Sequence, residues 1–300
     1  MLNPILSFTA TRRMRSFRTI LIVLAYLGAL LAIAVWRMRS MFQGQVTIQA
    51  MQGGVQSYLW LLGVQFLLLV MIGPAMTSGA VAGERERRTL ELLLVTNTPS
   101  FRIITGKMME SFAMLALLII CGIPAMCLTM VAGGVTFLQI LAGILFLLAV
   151  AFATVCLGIF ISACTRSTVV SSILCYLTIL AIGVITSIPA LTGYSRSITD
   201  VVYDSQRYAA LTPNEAFRMI HPLLLLNPGY GLAAIAQGQT SILTGMMIHR
   251  GWGRVLCSYL VLNRAGGQVV ALITSGAITA AGIFLLGLST LLIRMKRSRR

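Results

Sequence analysis

Few residues in this chain have the type and spacing needed for chemistry at a reacting centre. Three of its seven carboxylates, Glu84, Glu86 and Glu91, sit in one stretch with Arg85, Arg87 and Arg88. Asp200, Asp204 and Glu215 lie in a separate region with both histidines, His221 and His249. General acid–base work needs two ionisable groups within reach of one substrate, and Asp200, Asp204, Glu215 and His221 are the only candidates for such a set. The two histidines have no Cys, Asp or Glu placed at metal-ligand spacing. The cysteines show no C-x-x-C pair: Cys121, Cys127, Cys156, Cys164 and Cys175 fall in or at the end of apolar runs, and only Cys257 lies outside. They read as packing residues, and the dispersed methionines as core filling. A G-x-S-x-G nucleophile motif is absent. Gly106-Lys107 has the ending of a phosphate-binding loop, but Phe101 stands where its first glycine belongs and Met108 follows the lysine. No catalytic, cofactor-binding or metal-ligating residue is assigned.

The elements that would position these residues are apolar. Of 300 residues 58% are hydrophobic and 10% charged, with a mean hydropathy of +0.91. A soluble chain carries about 25% charged residues to cover its surface, so a soluble enzyme is excluded. Six charge-free runs are long enough to cross about 30 Å of hydrocarbon: Thr19 to Trp36, Tyr58 to Ser78, Phe112 to Val131, Val135 to Ala163, Val169 to Pro189 and Val269 to Ile293. They lack the period-2 polarity of barrel strands, so they are helices. The expected fold is all-α: a polytopic six-helix membrane bundle (19–293), an amphipathic N-terminal segment (1–18) and a basic tail (294–300). No Asp, Glu, Lys, Arg or His lies inside a span, which removes the intramembrane proton relay of many carriers.

The net charge of +16 is distributed as topology rather than as a nucleic-acid surface. With the N-terminus inside, Arg12 to Arg18, Arg85 to Lys107, Arg166 and Arg294 to Arg300 all lie on the cytoplasmic side. The external segments hold fewer cations over a longer stretch. Positive charge thus places both termini in the cytoplasm of a multi-pass plasma or inner membrane protein. Ala32-Ile-Ala34 fits a small-x-small cleavage site, but the preceding apolar run and leader are long for a signal peptide; cleavage there would leave the other spans oriented as before.

The connections are uneven. Gly133-Gly134 and Thr165-Arg166-Ser167 are tight turns, which makes spans three to five an antiparallel series. The long external stretch from 191 to 268 contains an apolar patch, Leu223 to Ala236, broken by Asn227, Pro228 and Gly229. Each half is too short to cross, so short helices are expected there, either re-entrant or packed as a small external subdomain.

The dense charge follows the second span: Gly83-Glu-Arg-Glu-Arg-Arg-Thr-Leu-Glu-Leu-Leu-Leu-Val95. On a helix Glu84 pairs with Arg88 and Arg87 with Glu91 at i,i+4, while Leu90, Leu93 and Leu94 share a face. From periodicity alone this is an amphipathic helix from about Glu84 to Val95 that caps the second span and pairs its charges with one another.

Gly79 to Thr96, with Pro99-Ser100 and Ile104-Thr105-Gly106-Lys107 after it, closely resembles the cytoplasmic loop of ABC-2 type transporter permeases. Their pattern is Glu-x-Glu-x-Gly-Thr-Leu-Glu-x-Leu-Leu, a proline, and Gly-Lys opening the third helix; Arg88 stands where glycine is common. The arginine-bearing N-terminal segment, six helices and external short helices also resemble that family. The resemblance implies a permease subunit of an exporter without enzymatic activity of its own. It implies a separate ATP-binding cassette ATPase that holds the ATP, a second permease chain, and coupling through Glu84, Arg85, Glu86, Arg87, Arg88, Thr89, Leu90 and Glu91. The alternatives are an ATP-independent carrier or channel and a membrane-embedded enzyme. Polar span residues such as Gln65, Gln139, Tyr176, Thr178 and Thr186 either line a path or bond neighbouring helices, and the latter is the simpler reading.

Overall fold

The structure is a computed structural model that describes residues 17–42, 48–87, 100–132, 135–191, 210, 212–237 and 267–298. Six long helices run through them: α1 (Phe17–Phe42), α2 (Ile48–Thr77), α4 (Ser100–Ala132), α5 (Phe137–Cys164), α6 (Thr168–Leu191) and α9 (Gly267–Ser298). Shorter ones are α3 (Gly79–Glu86), α7 (Pro213–Arg218), a 3₁₀ turn (Pro222–Leu226) and α8 (Pro228–Gln237). The fold is all-helical, since a segment in hydrocarbon must satisfy its N–H and C=O groups within itself. Five helical stretches are long and apolar enough to cross a membrane, in Gly54–Glu86, Phe101–Val131, Phe137–Cys164, Thr168–Pro189 and Val269–Ile293. α1 carries the apolar stretch Val23–Trp36 and runs through the whole of the expected first span, Thr19 to Trp36. The expected turn at Gly133-Gly134 lies outside the described residues, whereas Thr165 to Ser167 do form the short link between α5 and α6.

The chain divides into two compact units, and α5, α6 and α9 each contribute to both. The first comprises residues 1–135, 147–177 and 279–300. Within it α1 lies against α2 and α4, and α2 packs along α4. α1 buries Tyr26, Leu30 and Ala34, spaced four apart and therefore on one face. α2 answers with Tyr58, Leu61, Leu62 and Leu69, and α4 with Leu115, Leu118, Ile119 and Met126. Burial of Ile104, Met108 and Ser111 extends the α4 face back toward Ser100, ahead of the charge-free run that begins at Phe112. Phe112 and Phe152 join α4 to α5 edge to face, with ring centroids 5.8 Å apart. Lipid is as apolar as leucine, so close approach rather than apolar burial must hold such helices together. Small residues permit it: a Cβ on Gly158 of α5 would collide with Thr77 Oγ1 and Cβ, and one on Gly122 of α4 with the Gln65 amide. The Gln65 amide donates to Ile119 O (3.3 Å).

The second unit comprises residues 136–146 and 178–278. Thr212 and Glu215 form a capping box at α7: Glu215 Oε2 accepts from Thr212 N (3.0 Å) and Oγ1 (2.8 Å), and Glu215 N donates back to Thr212 Oγ1 (3.4 Å). His221 Nδ1 accepts from Leu223 N at the start of the 3₁₀ turn. Asn227 separates that turn from α8. Its Nδ2 donates to Ser187 Oγ of α6 (2.9 Å), and its Oδ1 accepts from Gly229 N (2.9 Å). Gly231 sits where a Cβ would strike Phe146 and Thr274. With Ala216, Ile220, Leu224, Tyr230, Ala234 and Ile235 buried, this stretch has a packed interior, and Pro228 opens α8 where its missing N–H costs nothing.

Two predictions arise. Gly158→Ala should lower stability by about 1 to 3 kcal/mol through overpacking. Gly63→Ala, where a Cβ meets nothing within 4 Å, should be neutral or stabilising by up to about 1 kcal/mol. Thermal midpoints of the two variants in one detergent check this, and equal midpoints would contradict the packing described. The Thr212 N–H and hydroxyl hold the exposed Glu215 carboxyl below its ordinary value. A depressed carboxylate contributes to the α7 cap above the unfolded value and loses that contribution as pH falls through the folded one. Thr212→Val should therefore raise the Glu215 titration part of the way back, as read by carbon NMR of labelled glutamate, and an unchanged titration would show that the cap does not form.

Candidate functional site

The site grows from a break in the helix that follows the second span. Pro74 lies inside α2 and carries no N–H, which loosens the ladder one turn before Ser78. Thr77 Oγ1 donates to Gly73 O (2.9 Å) and Ser78 N to Pro74 O (2.9 Å). The chain then begins α3 at Gly79. The N–H groups of Val81 and Ala82, both buried, donate to one atom of another helix, Ser162 Oγ of α5, at 3.0 and 2.9 Å. The same hydroxyl donates to Ser78 O at 2.7 Å. A serine hydroxyl offers one donor and two acceptor lone pairs, so Ser162 uses its full capacity inside the ladder of a neighbouring helix. An inserted side chain is a recognised cause of a helix kink. Ser172 Oγ of α6 lies 2.8 Å from Ser78 Oγ and 3.0 Å from Thr168 O.

Three successive charged residues of α3 then reach three different helices. Glu84 Oε1 pairs with Lys107 Nζ of α4 at 2.6 Å, both side chains half-buried. Such a pair falls between an exposed one, worth about 0.2 to 1 kcal/mol, and a buried one, whose breaking costs about 3 to 5 kcal/mol. Arg85 donates to Thr165 O (2.5 Å) and Ala163 O (3.2 Å) at the C-terminal end of α5. Glu86 Oε2 accepts from Thr168 N (3.2 Å) and Thr168 Oγ1 (2.9 Å) at the start of α6. A helix end leaves carbonyls without partners at its C-terminus and N–H groups at its N-terminus, with partial charges to match. Arg85 and Glu86 therefore place a cation on one helix end and an anion on the next, across the Thr165-Arg166-Ser167 turn. Gly83 and Gly79 lie against Thr168 Cγ2, at 3.3 and 3.8 Å from where their Cβ atoms would be, so α3 comes close to α6.

The sequence expectation differs from this arrangement in two respects. The amphipathic helix was expected from Glu84 to Val95, whereas the described helix runs Gly79–Glu86 and turns at Arg87, whose N–H bonds Gly83 O. The polar face was expected to pair with itself, whereas Glu84, Arg85 and Glu86 bond to α4, α5 and α6. Arg88, Thr89, Leu90 and Glu91 lie outside the described residues; Arg87 is exposed. What sequence reading missed is Ser162, Thr168 and Ser172, which lie 80, 82 and 94 positions from their partners Ala82, Glu86 and Ser78. The signal for them is the density of hydroxyls around the turn: Ser162, Thr165, Ser167, Thr168, Ser171 and Ser172 within one otherwise apolar region.

The other chemical candidates have structural employment. Glu215 and His221 cap short helices; Asp200, Asp204, His249 and Cys257 lie outside the described residues. Among the described residues no three His, Cys, Asp or Glu side chains converge as a metal set, and Cys121, Cys127, Cys156, Cys164 and Cys175 are free thiols. Of the polar span residues, Tyr176 donates to Met71 O (2.7 Å), Thr186 to Ile182 O (2.5 Å), and Gln139 Oε1 accepts from Thr136 N (2.8 Å).

Comparison with known proteins places this arrangement in a family. The family model described as ABC-2 family transporter protein matches residues 39–202, a range that contains α2 to α6 and the whole α3 junction. No curated protein matches the chain. With more than half the sequence matched and a multi-pass set of apolar helices, the chain belongs to the ABC-2 transporter family, as a membrane permease component of an ABC transporter.

Proposed function

We propose that this chain forms the transmembrane path of an ATP-driven exporter, paired with a second permease chain and moved by a separate ATPase subunit that binds and hydrolyses the ATP. The segment from Glu84 to Glu91 is the contact with that ATPase. The observation that carries this reading is the fastening of α3: Glu84, Arg85 and Glu86 grip α4, α5 and α6, while Arg87 is left exposed at the end of the same helix. A passive cap requires no such connection to three other helices. A lever does, because a push on its free end is useful only if its other residues deliver it to the helices that line the path. Positive charge puts this end of the bundle, and both termini, on the cytoplasmic side of the cell membrane, where an ATPase is reachable.

The experiment is affinity purification from native membranes. The isolated chain should hydrolyse little or no ATP, and a nucleotide-binding subunit should co-purify and supply the activity; turnover by the chain alone at transporter-like rates would defeat the proposal. Arg87→Glu should reduce recovery of the ATPase while leaving insertion and thermal midpoint unchanged. Glu84→Lys with Glu86→Lys should lower both recovery and midpoint, because these carboxylates also hold α4 and α6. Full ATPase recovery with Arg87→Glu would move the contact elsewhere. For orientation, single cysteines in a cysteine-free background at Arg87 and Lys296 should label only after permeabilisation, and one at Asp204 in intact cells. Labelling of position 296 from outside would reverse the assigned topology.

A further inference from the structure

Resting on the reading of α3 as the ATPase contact, we infer that Ser162 is a positioning residue for coupling: it is the pivot through which α3 drives α5 and α6, and the chain bends at Ser78. Two descriptions of the lever compete. In one, α2 and α3 form a single rod, so a push on α3 tilts the second span. In the other, α3 belongs mechanically to the α5–α6 corner and swings relative to α2.

The bonding pattern favours the second. At the α2–α3 junction the donors of Val81 and Ala82, whose ladder acceptors would be Thr77 and Ser78, are given to Ser162 Oγ, and Ser78 O receives the Ser162 proton. The hydrogen-bond ladder of the rod is thus interrupted where a side chain of α5 has entered it, while Ser78 itself keeps helical backbone angles (φ −57°, ψ −35°). Toward α5 and α6, by contrast, α3 is held by Ser162, by Arg85 on Ala163 O and Thr165 O, and by Glu86 on Thr168 N and Oγ1. Close contact of Gly79 and Gly83 with Thr168 adds shape to these bonds. Hinges fall at element termini that absorb a change in backbone angles, and Ser78, between Thr77 and Gly79, is such a terminus. Ser162 meets every requirement of a pivot: it is buried, saturated in hydrogen bonds, and attached to both sides of the break. Removing the hydroxyl would leave two buried N–H groups without their acceptor.

The test uses the complex of this chain with its ATPase in lipid nanodiscs, with Cys164, exposed at the end of α5, as the only cysteine. Maleimide labelling is followed without nucleotide and after trapping with ATP and vanadate. Trapping should change the Cys164 labelling rate about fivefold or more if the corner moves with ATPase closure. Ser162→Ala should retain the ATPase but make that rate independent of nucleotide, and amide exchange at Val81 and Ala82 should quicken about tenfold. Ser162→Thr, which keeps a hydroxyl, should restore both. Thr168→Val, which removes the hydroxyl bond to Glu86, should reduce the nucleotide response while leaving Val81 and Ala82 protected. A nucleotide response that survives Ser162→Ala overturns the inference, as does unchanged exchange at Val81 and Ala82. Should Ser162→Ala fail to accumulate, an unaltered response in Thr168→Val overturns it instead. A wild-type complex that contains no ATPase defeats the proposed function itself, before any variant is compared.

Discussion

In hydrocarbon an amide N–H that loses its carbonyl cannot turn to water. Each unsatisfied group costs several kcal/mol, and the architecture of this chain follows from avoiding that cost. Continuous helices meet the constraint alone. A helix that must stop and restart at the edge of the bundle cannot, and the α2–α3 junction has to import what its own backbone no longer supplies. Ser162 provides it from α5. The break therefore exists only in the folded bundle, because the group that makes it tolerable is distant in sequence. Local structure at this junction is a product of tertiary structure, the reverse of the usual order for a helix.

The same scarcity of water sets what holds the long helices together. Burying leucine against leucine gains little where the alternative is lipid, so the first unit relies on fit and on a few polar contacts. α5 shows the pattern most fully, with Leu147, Ala151, Val155 and Ile159 buried at four-residue spacing and Gly158 seated on Thr77. Measured hydrogen bonds between membrane helices average only about 0.6 kcal/mol each. The Gln65 bond to Ile119 O is thus better understood as fixing the register of α2 on α4 than as a large source of stability. α6 stands apart: Val169, Ile173, Leu177, Leu180, Val184 and Ile188 are exposed along it, a surface suited to an apolar surrounding.

Much of this was legible in the sequence for a simple reason. A span announces itself by the absence of charge over a fixed length, which is a local property, and each of the five long apolar helical stretches among the described residues overlaps one of the expected charge-free runs. The charged stretch after the second span, with its glutamates, arginines and leucines, also carried the family resemblance unaided. The partners of those charges were not legible. Periodicity offers i,i+4 neighbours as the default, and nothing in the order of residues says that Glu84 meets Lys107 or that Glu86 meets Thr168. Helix limits are not legible from charge alone where polar residues are structural. The charge-free run begins only at Phe112, after Lys107 and Glu110, yet buried Ile104 and Met108 show the apolar stripe running underneath them. A serine in an apolar span, finally, has an unremarkable local explanation, since it can bond its own preceding turn. Only its neighbours in space reveal that Ser162 serves another helix.

The order of Arg85 and Glu86 carries information that no tally of charges records. The cation meets carbonyl oxygens of a helix that is ending, and the anion meets the N–H and hydroxyl of one that is beginning. Exchanging the two residues would preserve composition, isoelectric point and the cation bias that orients a chain in the bilayer. It would also set a carboxylate against carbonyls and a guanidinium against N–H donors. One pair of side chains thus writes two messages at once. The first is additive and indifferent to position, and it is read while the chain is inserted. The second is directional, and it is read only after α5 and α6 have met at their turn.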